Sequence, residues 1–297
     1  MNLVEMIQQF NSEAKCRAYI ELLRWPDGVA CPHCQSRKIY RLENRPLLLC
    51  ASCEHQFSVT VDTVFHDTHL PLEKWFLATF LLCESKKGIS ACQIQRTLGV
   101  SYKTAWYLCH RIRAAMLEIA PEKLSGTVEI DETYVGGKAR RWRPRSDKAV
   151  VIGIRKRNGE LRLIRAKDAT ANTVQEIIDA HVGQDVEVIM TDESAIYPWA
   201  LKKLPKEKHK TINHTKEYAH GDIHTNTIES AFSLLKRGIV GTWHKVSAKH
   251  LPAYLDEMCF RFNNRKNSFL FRDTILKLIA SPNLEYKDLT AKVQDAA

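Results

Sequence analysis

Apolar side chains recur at helical spacing through most of residues 1–120. Residues 11–25 (NSEAKCRAYIELLRW) begin with a capping-type Asn-Ser pair and repeat apolar residues on one face, which predicts an amphipathic helix. Residues 71–88 (PLEKWFLATFLLCESKKG) predict a second helix, with Pro71 in its first turn and Gly88 past its end. This part of the chain is therefore expected to be largely helical, apart from a cysteine-containing stretch between these two helices.

Two further helices are predicted close together, within residues 89–119. Ser90 caps a short helix, Gly99 makes the turn, and Ser101 caps a second, longer helix. This is the layout of a DNA-reading helix-turn-helix, and it is also the layout of an ordinary helical hairpin. The candidate DNA-contacting residues on the second helix are Lys103, Tyr107, Arg111 and Arg113.

The pattern changes from helix to strand near Pro121. Residues 126–137 alternate, and residues 148–167 predict two strands joined by a turn at Asn158-Gly159, a strong hairpin signal. A helix, a buried-looking strand and C-terminal helices from about residue 225 follow. This order predicts an α/β domain with a mixed sheet.

Four of the nine cysteines form two CxxC pairs, Cys31 with Cys34 and Cys50 with Cys53, separated by residues 35–49. Two such pairs supply four thiolates for a tetrahedral metal, which is the arrangement of a zinc ribbon. A redox CxxC is the rival interpretation, and the duplication at this spacing argues against it. We predict one structural zinc ion with all four coordination positions filled by protein.

The net charge of the chain indicates the class of its binding partner. The formal net charge is +10, from 44 Lys+Arg against 34 Asp+Glu, and basic clusters lie at residues 138–148, 155–157 and 202–210. Each cluster alone is as readily a solvated loop, but three clusters on a basic average favour nucleic acid. The first cluster adds Arg140, Arg141 and Arg143 as candidate DNA contacts.

The chain has no apolar run near the roughly 18–20 residues that span a bilayer. Its N-terminus, MNLVEMIQQF, lacks the basic and apolar regions of a signal peptide. We therefore expect a soluble, intracellular protein of the cytoplasm.

Three acidic residues are candidates for one metal site. Asp131 lies in the first strand of the α/β domain, Asp192 follows the fourth, and Glu229 lies on a later helix. First and fourth strands can be neighbours in a mixed sheet, and a helix across them would add Glu229. Such carboxylates repel unless cations neutralise them, and oxygen ligands favour Mg²⁺ or Mn²⁺. Any single acidic residue is more often a solvated charge, but Lys236 lies two turns beyond Glu229 on the same helical face.

The motifs around these residues resemble a known family. DETYVGG around Asp131, TDES around Asp192 and HTNTIESAFSLLKRGIVGTWHK, which begins at residue 224, resemble the DDE transposases of bacterial insertion sequences, in the ISXO2-like group. The resemblance covers about residues 15–280. It implies that Asp131, Asp192 and Glu229 are the metal-binding triad and that Lys236 is its basic companion. Some members of the wider family carry asparagine as the third residue.

Asn226 is therefore the alternative third ligand, one turn before Glu229. We prefer Glu229 because a carboxylate is the better ligand for Mg²⁺. The motif IESAF departs from the family pattern by placing Ala231 where a bulky aromatic residue is expected, which is a change of packing.

The resemblance also implies a fold class, α/β, with an RNase H-like catalytic domain preceded by a zinc ribbon and a small helical helix-turn-helix region. We place the N-terminal helix and ribbon at residues 1–62, the helix-turn-helix region at 63–122, and the catalytic domain with C-terminal helices at 123–297.

The implied activity is DNA transposition. The protein is expected to bind the terminal repeats of the element as double-stranded DNA, to cleave a strand with two Mg²⁺ or Mn²⁺ ions, and to join it to target DNA. A homo-oligomer assembled on DNA is expected. The alternatives are a DNA-binding regulator that keeps the catalytic domain as a scaffold, and a stand-alone nuclease of the same fold; the presence of all three carboxylates argues against the regulator.

Overall fold

A computed structural model of the chain describes residues 1–136, 148–212 and 224–291. The contacts divide the chain into two compact units. The first unit comprises residues 1–85 and 89–116 together with the chain from residue 267 onward, and the second comprises residues 86–88 and 117–266. No helix within the described ranges has both the length and the apolar character needed to cross a membrane.

The first unit is mainly helical. Numbered along the whole chain, its helices are α1 (Leu3–Gln9), α2 (Glu13–Arg24), α3 (Leu72–Glu84), α4 (Ala91–Leu98), α5 (Tyr102–Met116), α10 (Leu270–Ala280) and α11 (Tyr286–Thr290). A small antiparallel sheet contains β1 (Ile39–Arg41), β2 (Leu48–Cys50) and β3 (Gln56–Phe57) in that order. The helices predicted before and after the cysteines are confirmed, as is the turn at Gly99, which ends α4 in the left-handed conformation.

The C-terminal helix α10 belongs to this first unit. The ring of Phe271 lies 5.8 Å from the rings of Phe10 and Phe76. The backbone N–H of Val64 donates to the carbonyl of Leu278 at 3.1 Å. Burial of this apolar face joins residues from both ends of the chain, so the second unit ends at residue 266 rather than at the predicted 297.

The second unit contains one five-stranded sheet, in the order β6-β5-β4-β7-β8. Strand β5 runs antiparallel to β4 and to β6, whereas β7 runs parallel to β4 and β8 runs parallel to β7. The predicted mixed sheet is confirmed, and so is the pairing of its first and fourth strands. The strand bounds are β4 (Leu124–Val135), β5 (Ala149–Lys156), β6 (Leu161–Ala166), β7 (Val182–Asp192) and β8 (His209–Ile212).

Helices cover both faces of this sheet. Val128 and Ile130 of β4 pack with α6 (Ala171–His181) and α7 (Ile196–Ala200). On the other face, Val135 of β4 packs with residues of α8 (Asn226–Gly238) and α9 (Leu251–Asn263). Because side chains alternate along a strand, Glu129 and Asp131 are on the same face as α8.

Gly153 allows α8 to lie close to the sheet. It pairs directly with Asp131 in the register of β4 and β5. A Cβ atom at Gly153 would lie 2.7 Å from Cδ1 of Ile228 and 2.7 Å from the ring of Phe232, both buried residues of α8. A residue without a side chain is therefore needed at the position next to Asp131.

We expect Gly153→Ala to lower the free energy of unfolding by about 1–3 kcal/mol, because an added methyl group forces a packed core to shift. Urea unfolding measures the change. Gly241→Ala is the matched control, since no atom lies within 4 Å of a Cβ added there. Equal urea midpoints for the two variants would show that α8 does not pack against Gly153 as described.

Candidate functional site

The four paired cysteines of the ribbon come together in space. Their sulfur atoms all lie within 4.8 Å of one another. The Sγ atoms of Cys31 and Cys53 are 3.7 Å apart, and those of Cys34 and Cys50 are 3.5 Å apart. Tetrahedral zinc with bonds of about 2.3 Å separates its sulfur ligands by about 3.8 Å. The predicted cysteine set is confirmed as a cluster, and its geometry fits a structural zinc ion.

A second site lies where β4 meets α8. An open cleft of about 590 Å³ is present there. Its polar lining residues are Asp131, Glu132, Thr133, Glu229, Ser233, Lys236 and Arg237. Two of the three predicted carboxylates and the predicted lysine therefore share one cleft. Asn226, the alternative third ligand, is exposed and is not among the described residues that line it.

Asp192 lies beside Asp131 on the neighbouring strand. In the parallel register of β4 and β7, Glu129 pairs with Met190. Asp131 and Asp192 each follow two residues later, so both lie at the same end of the sheet. A carboxylate oxygen of Asp192 accepts the backbone N–H of Ser194 at 3.0 Å.

The electrostatic surroundings of Asp131 are negative. Burial raises the pKa of Asp131 to about 7, and the charges of Glu132, Asp192 and Glu229 act in the same direction. The backbone N–H of Glu132, which donates to Asp131 at 2.8 Å, opposes them. A carboxylate in these surroundings is stabilised by a cation, and an oxygen-only set of donors suits Mg²⁺ or Mn²⁺.

The three carboxylates are spaced more widely than the ligands of a preformed site for one ion. Within the described ranges, the cysteines are the only group of three or more Cys, His, Asp or Glu residues whose ligand atoms all lie within 4.8 Å of one another. Ligands of a single Mg²⁺, with bonds of about 2.1 Å, are at most about 4.2 Å apart. The ligand atoms of Asp131, Asp192 and Glu229 are therefore not all within 4.8 Å of one another, and their convergence on a shared ion position stays a prediction. Asp131 interacts electrostatically with both Asp192 and Glu229, whose charges raise its pKa.

The raised pKa of Asp131 predicts a pH-dependent stability in zinc-loaded protein free of Mg²⁺ and Mn²⁺. The folded pKa is about 7 and the ordinary value is 3.8, so the folded state binds more protons between these values. The contribution of Asp131 to the free energy of unfolding is therefore largest below about pH 4 and is lost as pH rises through about 7. We expect the urea midpoint of the wild type, relative to Asp131→Asn, to fall progressively between about pH 4 and pH 7 and to level off above pH 7. A difference in urea midpoint that does not change with pH would contradict the raised pKa of Asp131.

Glu132 is a carboxylate of the cleft that sequence analysis missed. Burial raises its pKa, and the fully buried Tyr197 donates its hydroxyl proton to Oε2 of Glu132 at 2.5 Å. Strand alternation directs Glu132 away from Asp131, which hides its relevance in the sequence. The sequence signal that could have identified Glu132 is its position directly after Asp131.

The arginines predicted to contact DNA from α5 are buried. Arg111 and Arg113 are 5% and 1% exposed. Arg111 donates to the carbonyls of Val64 and His66 and, at 2.7 Å, to the side-chain oxygen of Asn283. The interpretation of Arg111 and Arg113 as base-contacting residues is therefore wrong in this structure, because their guanidinium groups are enclosed by protein.

Tyr107 and Lys103, the other two predicted DNA contacts on α5, differ in their exposure. Tyr107 is half-buried and donates its hydroxyl proton to the carbonyl of Leu284 at 2.5 Å. Lys103 is exposed, and its ammonium lies 4.3 Å from the ring centre of Tyr286. The segment between α10 and α11 thus covers much of the predicted recognition face and leaves Lys103 accessible. The candidate contacts Arg140, Arg141 and Arg143 lie outside the described residues.

Comparison with known proteins finds a family match for two regions of the chain. Residues 11–56 match a transposase zinc-ribbon domain, and residues 123–263 match the ISXO2-like transposase domain. The uncharacterised protein in transposable element ISH50 of Halobacterium salinarum is 30% identical over 270 residues, which span 84% of this chain and 90% of that protein. The two matched domains contain the four ribbon cysteines and the three carboxylates respectively. The chain therefore belongs to the ISXO2-like transposases.

Proposed function

We propose that this chain is the DNA transposase of an insertion sequence, which binds the ends of its element, cleaves DNA strands and transfers them to target DNA. The observation that carries the proposal is the cleft shared by Asp131, Glu229 and Lys236 inside the region that matches the ISXO2-like transposase domain.

The sheet supports an RNase H-like assignment for the second unit. Its strand order places the first strand at the centre, with an antiparallel hairpin on one side and two parallel strands on the other, and this mixed sheet with helices on both faces is compatible with that fold. Asp131 lies on the central strand β4, and Asp192 ends the adjacent strand β7.

The residues that would hold two Mg²⁺ or Mn²⁺ ions are Asp131, Asp192 and Glu229. Asp131 interacts electrostatically with both other carboxylates, so the three together would attract and hold such cations. Bound ions of this kind lower the pKa of water and neutralise charge on the attacking and leaving oxygens of a phosphodiester.

The chemistry has two steps. In the first, the oxygen of water bonds to phosphorus at the element terminus, and the 3′-oxygen leaves with the bonding electrons and takes up a proton. In the second, the freed 3′-hydroxyl bonds to a phosphorus of target DNA, and the target 3′-oxygen leaves in the same way. Lys236 and Arg237, which line the cleft, would contact backbone phosphates during both steps.

Recognition of the ends would rest on the first unit. The zinc ribbon and the paired helices α4 and α5, with Lys103 exposed, are its proposed DNA-binding elements. Arg140, Arg141 and Arg143 would add sequence-independent phosphate contacts. We further propose assembly into a homo-oligomer on DNA and a location in the cytoplasm with the bacterial chromosome.

A donor plasmid that carries a marker between the ends of the element tests the proposal in cells. The proposed function predicts marker junctions in new target DNA with the wild type and none with Asp192→Asn. A nuclease would cut the ends without new junctions, and a regulator would bind the ends without cutting them; either result would replace the proposal.

A further inference from the structure

The helix that carries Glu229 begins without a cap of its own. The side chain of Thr225, at the N-cap position of α8, does not provide the usual cap acceptor for the backbone N–H groups of the first turn. The first N–H groups of a helix need acceptors from elsewhere. Oε2 of Glu129 accepts the backbone N–H groups of Thr227 at 3.0 Å and Ile228 at 3.1 Å. The cap is therefore supplied by a strand rather than by the helix.

The carboxylate of Glu129 is buried and accepts hydrogen bonds at both of its oxygens. Its side chain is 0% exposed, and its Oε2 also accepts the hydroxyl of Thr227 at 2.6 Å. Nε of Arg157 donates to Oε1 at 2.9 Å, and the same guanidinium donates to the carbonyl of His224 at 3.1 Å. Because a buried charge needs a partner and saturated hydrogen bonds, this carboxylate has one well-defined position.

This position connects two residues of the proposed metal site. Glu129 lies two residues before Asp131 on the same face of β4. The N–H groups that it accepts belong to the two residues immediately before Glu229. A second contact completes the arrangement, since the hydroxyl of the buried Thr225 donates to Oε1 of Glu229 at 3.1 Å.

We propose that Glu129 is a positioning residue that holds Glu229 at its distance from Asp131 by capping α8. The proposal rests on the proposed function, because it assumes that Asp131 and Glu229 bind divalent ions. Glu129 acts through the helix backbone and does not line the cleft in the described part of the chain.

A purely structural role and a positioning role predict different measurements. If Glu129 only stabilises the second unit, its replacement lowers the free energy of unfolding and leaves the affinity of folded protein for ions unchanged. If Glu129 positions Glu229, its replacement weakens ion binding, and that effect disappears once Glu229 has lost its own charge.

The test is a double-mutant cycle on the zinc-loaded full chain. Mn²⁺ affinity is measured by electron paramagnetic resonance for the wild type, Glu129→Gln, Glu229→Gln and the double variant. We expect Glu129→Gln to weaken Mn²⁺ binding roughly 10–100-fold, as loss of a group that orients a metal ligand does. In the Glu229→Gln background the same change should have almost no effect.

Glu257→Gln is the matched control. Glu257 is also 0% exposed and accepts from Nε of Arg261 at 3.1 Å within α9, but it does not line the cleft among the described residues. Its replacement should lower stability and leave Mn²⁺ affinity unchanged.

Thr227→Ala is a milder variant that tests the same contact if Glu129→Gln does not fold. It removes only the hydroxyl bond to Glu129. We expect it to weaken Mn²⁺ binding roughly 2–10-fold, in line with the net contribution of one hydrogen bond.

Wild-type Mn²⁺ affinity in both Glu129→Gln and Thr227→Ala would overturn the positioning role and leave the proposed function standing. An equal loss in the presence and absence of Glu229 would also overturn it. A wild type whose Mn²⁺ binding is unaffected by Asp131→Asn would overturn the proposed function and this inference together.

Discussion

Glu229→Gln is expected to abolish DNA strand cleavage while the protein stays folded and still binds DNA. Glutamine keeps the size and helix propensity of Glu229 but removes the charge that would hold a divalent ion at the cleft. Loss of one group that stabilises transition-state charge lowers rates by roughly 10²–10³-fold, and loss of an ion is expected to do at least as much. Single-turnover cleavage of a labelled terminal duplex in Mg²⁺ measures the rate, and a gel-shift titration measures DNA binding.

Asn226→Ala is the comparison variant for this experiment. Asn226 is the first residue of α8, is exposed, and is not among the described residues that line the cleft. We expect its cleavage rate to stay near that of the wild type. A severe loss in Asn226→Ala beside a mild one in Glu229→Gln would make Asn226 the third ligand.

Cys50→Ser is expected to release zinc and unfold the ribbon. Cys50 ends β2, and its sulfur lies within the four-cysteine cluster. Structural zinc binding contributes about 10–16 kcal/mol to the folding of small zinc domains, which is more than three short strands supply without the metal. Metal analysis should show loss of zinc, and amide hydrogen exchange should show loss of protection over residues 31–57.

Cys92→Ser is the matched control for zinc binding, because Cys92 is an exposed free cysteine outside the cluster. It should retain one zinc per chain and wild-type exchange. Retention of zinc and of protection by Cys50→Ser would contradict the tetrahedral site.

Local patterns account for what could be predicted from the sequence. The Asn158-Gly159 pair predicts the β5–β6 turn because Asn158 tolerates the left-handed backbone that it adopts there, with φ 58°. The cysteine pairs predict the ribbon because two CxxC pairs at this separation supply four thiols for one tetrahedral ion. The carboxylates could be assigned only as a set, from strand order and family resemblance, since each alone resembles a solvated charge.

Contacts between distant segments account for what could not be predicted. The sequence predicts Arg111 as a DNA contact because apolar periodicity identifies only the core-facing side of a helix. It does not show which distant segment packs on the other side. Asn283, which accepts the hydrogen bond of Arg111, is 172 residues away in the chain. In the sequence Glu129 resembles an ordinary strand residue, because its capping role depends on a helix terminus 98 residues later.

Metal-rescue cleavage tests the central claim most directly, that the cleft at Asp131 supports divalent-ion-dependent phosphoryl transfer on DNA. The substrate is a terminal duplex in which the leaving 3′-oxygen is replaced by sulfur, compared with the ordinary duplex. Because sulfur is a soft ligand that Mg²⁺ binds poorly, we expect the zinc-loaded wild type to cut the ordinary duplex in Mg²⁺, to cut the sulfur duplex poorly in Mg²⁺, and to recover in Mn²⁺. Asp131→Asn should cut neither. Cleavage that proceeds without divalent ions, or at the wild-type rate in Asp131→Asn, would contradict the claim.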